Sequence, residues 1–288
     1  MYTDLRGDFV AALILEGGTF RPVFSCGIMD ALMDNDINFD YVIGVSAGIS
    51  HGFSYVSKQR GRAYTIVKNH RHDKRYIGIR NYFSDRSLFG LKFAYETVGN
   101  ELYPFDWEAF RGNPAKILVG VTNAHTGEIE YLDGKKTDSS FNMLKATCAL
   151  PLAFPAITVG ENEYFDGGIT DSIPAKKAYE DGNEKMLIIL TRTDDYVKTL
   201  SVGVKVAAKL FKRKYPKVSD ALLRRHKMYN DQIDYCKKLE DEDKAIILRP
   251  SEEVQIDSFE KDLDKMERVY RYGYNLAIQN LDKIKELF

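Results

Sequence analysis

Apolar residues in this chain gather into short runs, separated mostly by stretches of helical period. Six runs predict strands: residues 10–15, 39–43, 116–121, 128–132, 186–191 and 245–249. Two of them, Ile117-Leu118-Val119-Gly120-Val121 and Met186-Leu187-Ile188-Ile189-Leu190, do not alternate with polar residues. Strands of that kind are covered on both faces, as in a parallel sheet between helical layers. Glu128 to Leu132 follows Thr126-Gly127 and predicts a hairpin with the strand before it. Between residues 258 and 288, Leu263, Met266, Val269, Tyr270 and Tyr274 fall on one face of a terminal helix. The pattern predicts an α/β chain without internal repeats or low-complexity segments.

Composition narrows the class. A chain of 288 residues with 44% hydrophobic residues and a formal net charge of −1 can bury a sizeable core. No apolar run approaches the 18 residues or so of a membrane span. The start, Met1 to Asp8, is polar and carries no signal-peptide core. Cys26, Cys148 and Cys236 are odd in number and far apart, so they offer neither a disulfide framework nor a metal site. A reduced cytoplasm is the expected compartment, and no cofactor is expected.

The chemistry concentrates at three glycine-bounded turns. Gly44-Val45-Ser46-Ala47-Gly48 has the G-x-S-x-G form, after an apolar run and before a helix-compatible one, Ile49 to Val56. That is the strand, tight turn and helix context of a nucleophile elbow. Gly44 and Gly48 leave room where strand and helix meet. Near the N-terminus, the first apolar run enters Glu16-Gly17-Gly18-Thr19-Phe20-Arg21 and then a helical pattern from about Val23 to Met33. A Gly-Gly turn before a helix exposes N–H groups that can face an anion, which acyl transfer needs at the developing oxyanion. Arg21 either adds a fixed positive charge there or braces the loop. The third turn, Asp166-Gly167-Gly168, follows Tyr164-Phe165 and supplies a carboxylate.

These motifs, in this order, resemble the patatin-like phospholipase family, with 120 residues from Ser46 to Asp166. Ala146-Thr147-Cys148-Ala149-Leu150-Pro151-Leu152-Ala153-Phe154-Pro155 is similar to the family's Ala-Ser-x-Ala-x-Pro-x-x-Phe-Pro stretch, and Gly120 to Gly127 to its T-D-x-x-T-G strand end. The resemblance covers roughly residues 8 to 192. It implies a three-layer fold with a mostly parallel central sheet flanked by helices. Residues 193–288 then form a helical C-terminal extension packed on that core, with one added strand near 245–249. The chain departs from the family where Thr19 replaces a third glycine, Pro22 follows the basic residue, Thr147 replaces serine and Asn123 replaces aspartate. Donors survive at Gly17, Gly18 and Thr19. Pro22 lacks an N–H but suits the first turn of a helix.

A serine hydroxyl needs a base to accept its proton, and the usual base is histidine. None of His51, His70, His72, His125 and His226 sits in a glycine-bounded turn after a late strand. The resemblance implies instead a Ser46–Asp166 dyad, with an oxyanion hole from Gly17, Gly18, Thr19 and Arg21. Gly44 and Gly48 would frame the elbow, and Gly167 and Gly168 the Asp loop. Partial burial beside an apolar acyl pocket would raise the pKa of Asp166 and make it a better base.

Charge is unevenly spread. Lys198 to Lys227 holds ten Lys and Arg against one acid, Asp220, and Lys58 to Arg80 holds eight against Asp73. Within the first stretch, Leu200, Val204, Ala207, Leu210 and Phe211 fall at helical spacing. Such a stretch is either a solvated helical face or an element drawn to anionic lipid headgroups. The basic runs lack interleaved stacking aromatics and any nucleic-acid module, which argues against nucleic acid as a partner. Three functions follow: a lipid acyl hydrolase working by a Ser46–Asp166 dyad, a soluble ester or thioester hydrolase of the same fold, and a phosphate or nucleotide binder using the Gly17-Gly18 loop. The third lacks both G-x-G-x-x-G and a P-loop.

Overall fold

The computed structural model describes residues 11–288. Val10 of the first predicted strand and the polar start Met1 to Asp8 lie outside the described residues. Eight strands form one sheet: β1 (Ala11–Leu15), β2 (Tyr41–Val45), β3 (Lys116–Asn123), β4 (Ile129–Asp133), β5 (Ile157–Val159), β6 (Asn162–Asp166), β7 (Lys185–Ile189) and β8 (Ala245–Leu248). The order is β5-β6-β3-β2-β1-β7-β8, with β4 also paired to β3. The five strands from β3 to β8 are parallel, and β4, β5 and β6 join antiparallel at one side. Helices cover both faces, which separates the core into two layers. Leu13, Leu15 and Val42 face one layer, while Ala12, Ile14, Tyr41 and Ile43 face the other. This is why the central strands read as unbroken apolar runs.

Six strands lie where the apolar runs predict them, with shifted ends. The second continues to Val45 rather than stopping at Ile43, so Gly44 is a strand residue. A Cβ on Gly44 would meet Leu15, its partner on β1. β5 and β6 are additions to the sequence reading. They are short, and β5 and the first half of β6 are largely solvent-facing, so they produce no apolar run. The terminal helix also differs from its expected span. It runs over Leu263–Gln279 and stops before a separate short helix, Leu281–Lys285. Asp262 caps its start, accepting from the N–H groups of Asp264 and Lys265.

This C-terminal helix crosses the first helix (Val23–Asp34) with no side chain between them at two points. A Cβ at Gly27 would collide with the Tyr270 carbonyl oxygen, and one at Gly273 with the Phe24 carbonyl oxygen. Residues 193–288 therefore share the core of the rest of the chain: they add β8 to β7 and cover the helix that follows β1.

The register of β3 explains where the site lies. On one edge, Lys116 to Gly120 pair with β2, and β2 ends with Val45 opposite Gly120. Beyond that point Val121 to Asn123 pair with β6, which runs the other way and ends with Asp166 opposite Val121. Two strands thus meet head-on along one edge, and the residues at their meeting ends are Ser46 and Asp166.

Candidate active site

Ser46 opens the helix Ser46–Val56 directly from the end of β2. Its φ is +54°, in the left-handed region, where a non-glycine residue costs on the order of 1–3 kcal/mol. The surrounding structure holds it there. Its N–H donates to Thr147 Oγ1 at 2.8 Å, and the Thr147 hydroxyl donates to the Gly120 carbonyl at 2.6 Å. Thr147 is wholly buried, so one hydroxyl ties the elbow to β3. Gly48 has no room for a Cβ, which would strike the Glu16 carbonyl oxygen. The serine also stands at the positive end of the helix dipole.

Asp166 is 1% exposed. Its Oδ1 accepts from the Gly168 N–H at 2.8 Å, and its Oδ2 is buried with no hydrogen-bond partner among the described residues. Burial raises the carboxyl pKa; Arg225, the Ser46 hydroxyl and the Gly168 N–H act against that shift. Gly167 sits where a Cβ would hit the Gly120 carbonyl oxygen, so this turn fits closely under the strand that carries the elbow.

The loop after β1 closes over the serine. A Cβ on Gly17 would lie 2.7 Å from Ser46 Cβ. Thr19 has φ +59°. Among the described residues, the N–H groups of Gly17, Gly18 and Thr19 donate to no protein acceptor. Buried Glu16 fixes the loop, accepting from the Thr191 N–H at 2.6 Å and from Tyr229 Oη at 3.1 Å. The Thr191 hydroxyl in turn donates to the Gly17 carbonyl at 3.0 Å. Arg21 folds back over Gly18 and donates to Thr191 Oγ1 and Ser258 Oγ.

Two cavities meet at this point and share Thr19, Ser46 and Leu150. One, of about 130 Å³, is mostly apolar, with walls that include Ile66, Val67, Phe89, Val98, Leu144 and Phe154. The other, of about 340 Å³, is the more polar of the two and contains Asp166 together with Arg21, Arg192, Lys198 and Arg225. Arg225 Nε donates to the Gly168 carbonyl at 2.6 Å.

The histidines are dispersed. His51 lines the apolar cavity, and burial lowers its pKa to about 4, so it is neutral at physiological pH. His226 faces the polar cavity rather than bulk solvent, yet neither histidine hydrogen-bonds Ser46 or Asp166 among the described residues. Cys148 also lies beside the Ser46 hydroxyl, with its Sγ 3.3 Å from Ser50 Oγ. Burial pushes its thiol up to about 11, which keeps it protonated and weakly nucleophilic.

Sequence reasoning missed Glu16, Thr147, Arg192, Lys198 and Arg225 as neighbours of the site. The helical face read across the basic stretch needs correction. Ala207 is buried, and Val204, Leu200 and Phe211 are half-buried, with Phe211 packed edge-on against Phe165. The exposed apolar side chains of the helix Val202–Phe211 are instead Val202, Val206 and Leu210.

Comparison with known proteins identifies the family of the chain. A family model described as patatin-like phospholipase matches residues 13–179, and one described as a domain of unknown function (DUF6363) matches residues 215–288. The chain is 26% identical over 197 residues to the uncharacterized protein YjjU of Escherichia coli, covering 62% of this chain and 51% of that protein. It is 22% identical over 292 residues to the lysophospholipase NTE1 of Yarrowia lipolytica, covering 95% of this chain and 19% of that protein. The chain thus spans about half, or much less, of the length of these relatives. Among solved structures, VipD from Legionella pneumophila aligns over 96% of this chain and 67% of its own, with a TM-score of 0.46 and 14% identity. The match to residues 13–179 takes in more than half of the chain, from β1 through the elbow and the Asp166 turn, and the chain belongs to the patatin-like phospholipase family.

Proposed function

We propose that the chain is a serine acyl hydrolase that cleaves carboxylic ester bonds of lipids. Membership in the patatin-like phospholipase family supports lipid-ester hydrolysis as the general chemistry. One observation carries the finer reading. Ser46, held in a left-handed turn, lines an apolar cavity and a second one with Asp166, whose Oδ2, like the N–H groups of Gly17, Gly18 and Thr19, has no hydrogen-bond partner among the described residues.

In this reading Ser46 Oγ attacks the ester carbonyl carbon and its proton passes to Asp166 Oδ2. The carbonyl oxygen becomes an oxyanion, facing the N–H groups of Gly17, Gly18 and Thr19. Collapse breaks the bond to the alcohol, which leaves with the proton from Asp166. Water then attacks the Ser46 ester, giving a proton to the same carboxylate; the bond to Ser46 Oγ breaks, the proton returns from Asp166 to the serine, and the acid is released. A carboxylate is a weak base in water, and the burial of Asp166 raises its pKa toward the working range. Arg21 acts in this scheme by bracing the loop through Thr191 and Ser258.

A fluorophosphonate probe tests the assignment. It should label the chain at Ser46, as read by peptide mass spectrometry, and labelling should abolish hydrolysis of a medium-chain monoacylglycerol. Labelling elsewhere, or full activity after labelling of Ser46, would falsify the serine mechanism.

Membrane contact belongs to the same proposal. No described helix is long and apolar enough to cross a membrane. Val202, Val206 and Leu210 are exposed beside Lys205 and Lys209, and Ile79 and Phe83 are exposed beside Arg80 and Arg86. Lys214 and Arg86 are close enough to repel, so the stretch Lys198 to Lys227 approaches the segment just after Arg80. A face of exposed apolar side chains among cations suits an anionic bilayer.

A further inference from the structure

The polar cavity beside Ser46 holds more positive charge than the scheme above uses. Arg21, Arg192, Lys198 and Arg225 all line it, while the carboxylates there are Glu16 and Asp166. Arg21 repels Arg192, and Lys198 repels Arg225, Arg21 and Arg192. Among the described residues none of the four is in a salt bridge, and Arg192 Nε is buried without a hydrogen-bond partner. Glu16 attracts Arg21 and Lys198, and Asp166 attracts Arg225, so two carboxylates offset part of the charge of four cations. An excess of like charge in a partly buried space is costly, and a bound anion reduces the cost.

The cluster is also built rather than incidental. Lys198 is pinned by two hydrogen bonds with Asn230, from its N–H at 3.0 Å and to its carbonyl at 3.1 Å. Its Nζ stands 4.3 Å from the Tyr229 ring centre, and the Arg192 guanidinium 4.3 Å from the Tyr196 ring centre. Burial, with the neighbouring arginines, lowers the Lys198 pKa to about 7, as expected for a cation held beside other cations.

We propose that this cavity is a headgroup site, in which Arg21, Arg192, Lys198 and Arg225 hold the phosphate of an anionic glycerophospholipid while its acyl chain occupies the apolar cavity and its ester lies at Ser46. The proposal rests on the serine hydrolase reading for the position of the ester. The phosphate-binding chemistry stands without it. Arginine offers paired donors that match phosphate oxygens, and lysine a point charge. The polar and apolar cavities share Ser46, so one lipid can span both.

Binding and turnover test the two parts separately. In the Ser46→Ala chain, sn-glycerol 3-phosphate should bind by calorimetry and glycerol should not. The double change Arg192→Gln with Lys198→Gln should weaken that binding by about 100-fold, the loss expected for two charge-assisted contacts. The charge-keeping pair Arg192→Lys with Lys198→Arg should retain most of it, which separates charge from folding. In the otherwise wild-type chain, the double Gln variant should lower the ratio of kcat/KM for lysophosphatidylglycerol to that for monoacylglycerol of the same chain by at least about tenfold. No binding of glycerol 3-phosphate, or equal loss in both double variants, overturns the site. Inorganic phosphate binding as tightly as glycerol 3-phosphate, with the turnover ratio unchanged, makes it a free-anion site and overturns the headgroup assignment. If the wild-type chain cleaves neither ester, the hydrolase reading falls, and the binding arm alone decides this proposal.

Discussion

The two cavities that meet at Ser46 differ in chemistry and in the part of the chain that builds them. The apolar one is lined by residues between Thr19 and Phe154, all inside the segment that matches the patatin-like family. The polar one takes Glu16 to Arg21 and Asp166 from that segment, but Arg192, Lys198, Arg225 and Tyr229 come from beyond it. Ser46, Asp166 and the acyl side thus belong to the family core. Three of the four cations are added by the helix Pro216–Asp241 and the stretch before it, and the fourth, Arg21, belongs to the core. A family core can keep its reaction while an appended element changes what reaches it. Variants should therefore separate into those that stop turnover of every ester and those that change only the choice between esters.

The largest effect should come from the centre. Ser46→Ala removes the proposed nucleophile and should lower kcat by up to about 10⁶ for charged and neutral esters alike, by analogy with other serine hydrolases. Asp166→Asn removes the proposed proton acceptor and should cost orders of magnitude, again without changing the ratio between substrates. His51→Ala and His226→Ala should each leave most activity, and a dead histidine variant would replace the dyad with a triad. The acid limb should reflect Asp166. Its carboxyl is raised by burial, so it is protonated over a range where an ordinary aspartate is already ionised. Activity should fall as pH drops through that raised value, and an acid limb in the ordinary aspartate range would count against Asp166 as the base.

The outer surface should matter next, and for the bilayer alone. Replacing Lys209, Lys212, Arg213 and Lys214 by Gln should weaken cosedimentation with anionic vesicles by roughly 100-fold or more, since each basic residue at such a surface contributes about 1 kcal/mol. The effect should shrink at high salt, and hydrolysis of a soluble ester should stay nearly constant. Equal binding of the wild-type chain to neutral and anionic vesicles would remove the membrane role.

Blocking the apolar side should alter chain length more than rate. Ala94 lines that cavity beside Tyr95 and Val98. Ala94→Trp should lower kcat/KM for a long-chain ester relative to a butyrate ester by about tenfold, in the range that pocket size can discriminate. An unchanged chain-length profile would mean the acyl group lies elsewhere.

The difference between the cavities also explains what the sequence shows and what it hides. Ser46 and Asp166 are legible because glycines mark their turns, and the register of β3 then brings the two strand ends together. The central strands are legible because burial on both faces leaves unbroken apolar runs. β5 and β6 are not, because they are short and half solvated. The cationic wall is hidden for another reason. The excess of charge from Lys198 to Lys227 is plain, but direction is not. Lys198 and Arg225 turn inward to the cavity while Lys209 and Lys212 face solvent. Thr147 is visible as a replacement for the family's serine, yet its bridge joins Ser46, 101 residues away, to Gly120, 27 residues away.

The smallest effect should be a pH dependence on the cationic side alone. Lys198 has a pKa of about 7 and faces Arg225, Arg21 and Arg192, with Glu16 opposing them and the rings of Tyr196 and Tyr229 alongside. As pH rises through that value the lysine loses its proton, so binding of an anionic headgroup should weaken on the alkaline side. A bound anion favours the charged form and moves this window upward. The kcat/KM ratio of lysophosphatidylglycerol to monoacylglycerol should therefore fall several-fold between about pH 6 and pH 9. The phosphodiester keeps one charge throughout that range, so the slope belongs to the protein. Lys198→Arg places a group that stays charged at the same position and should flatten the slope while keeping the preference for the anionic lipid. A slope that survives Lys198→Arg would assign the titration to another group and remove Lys198 from this role.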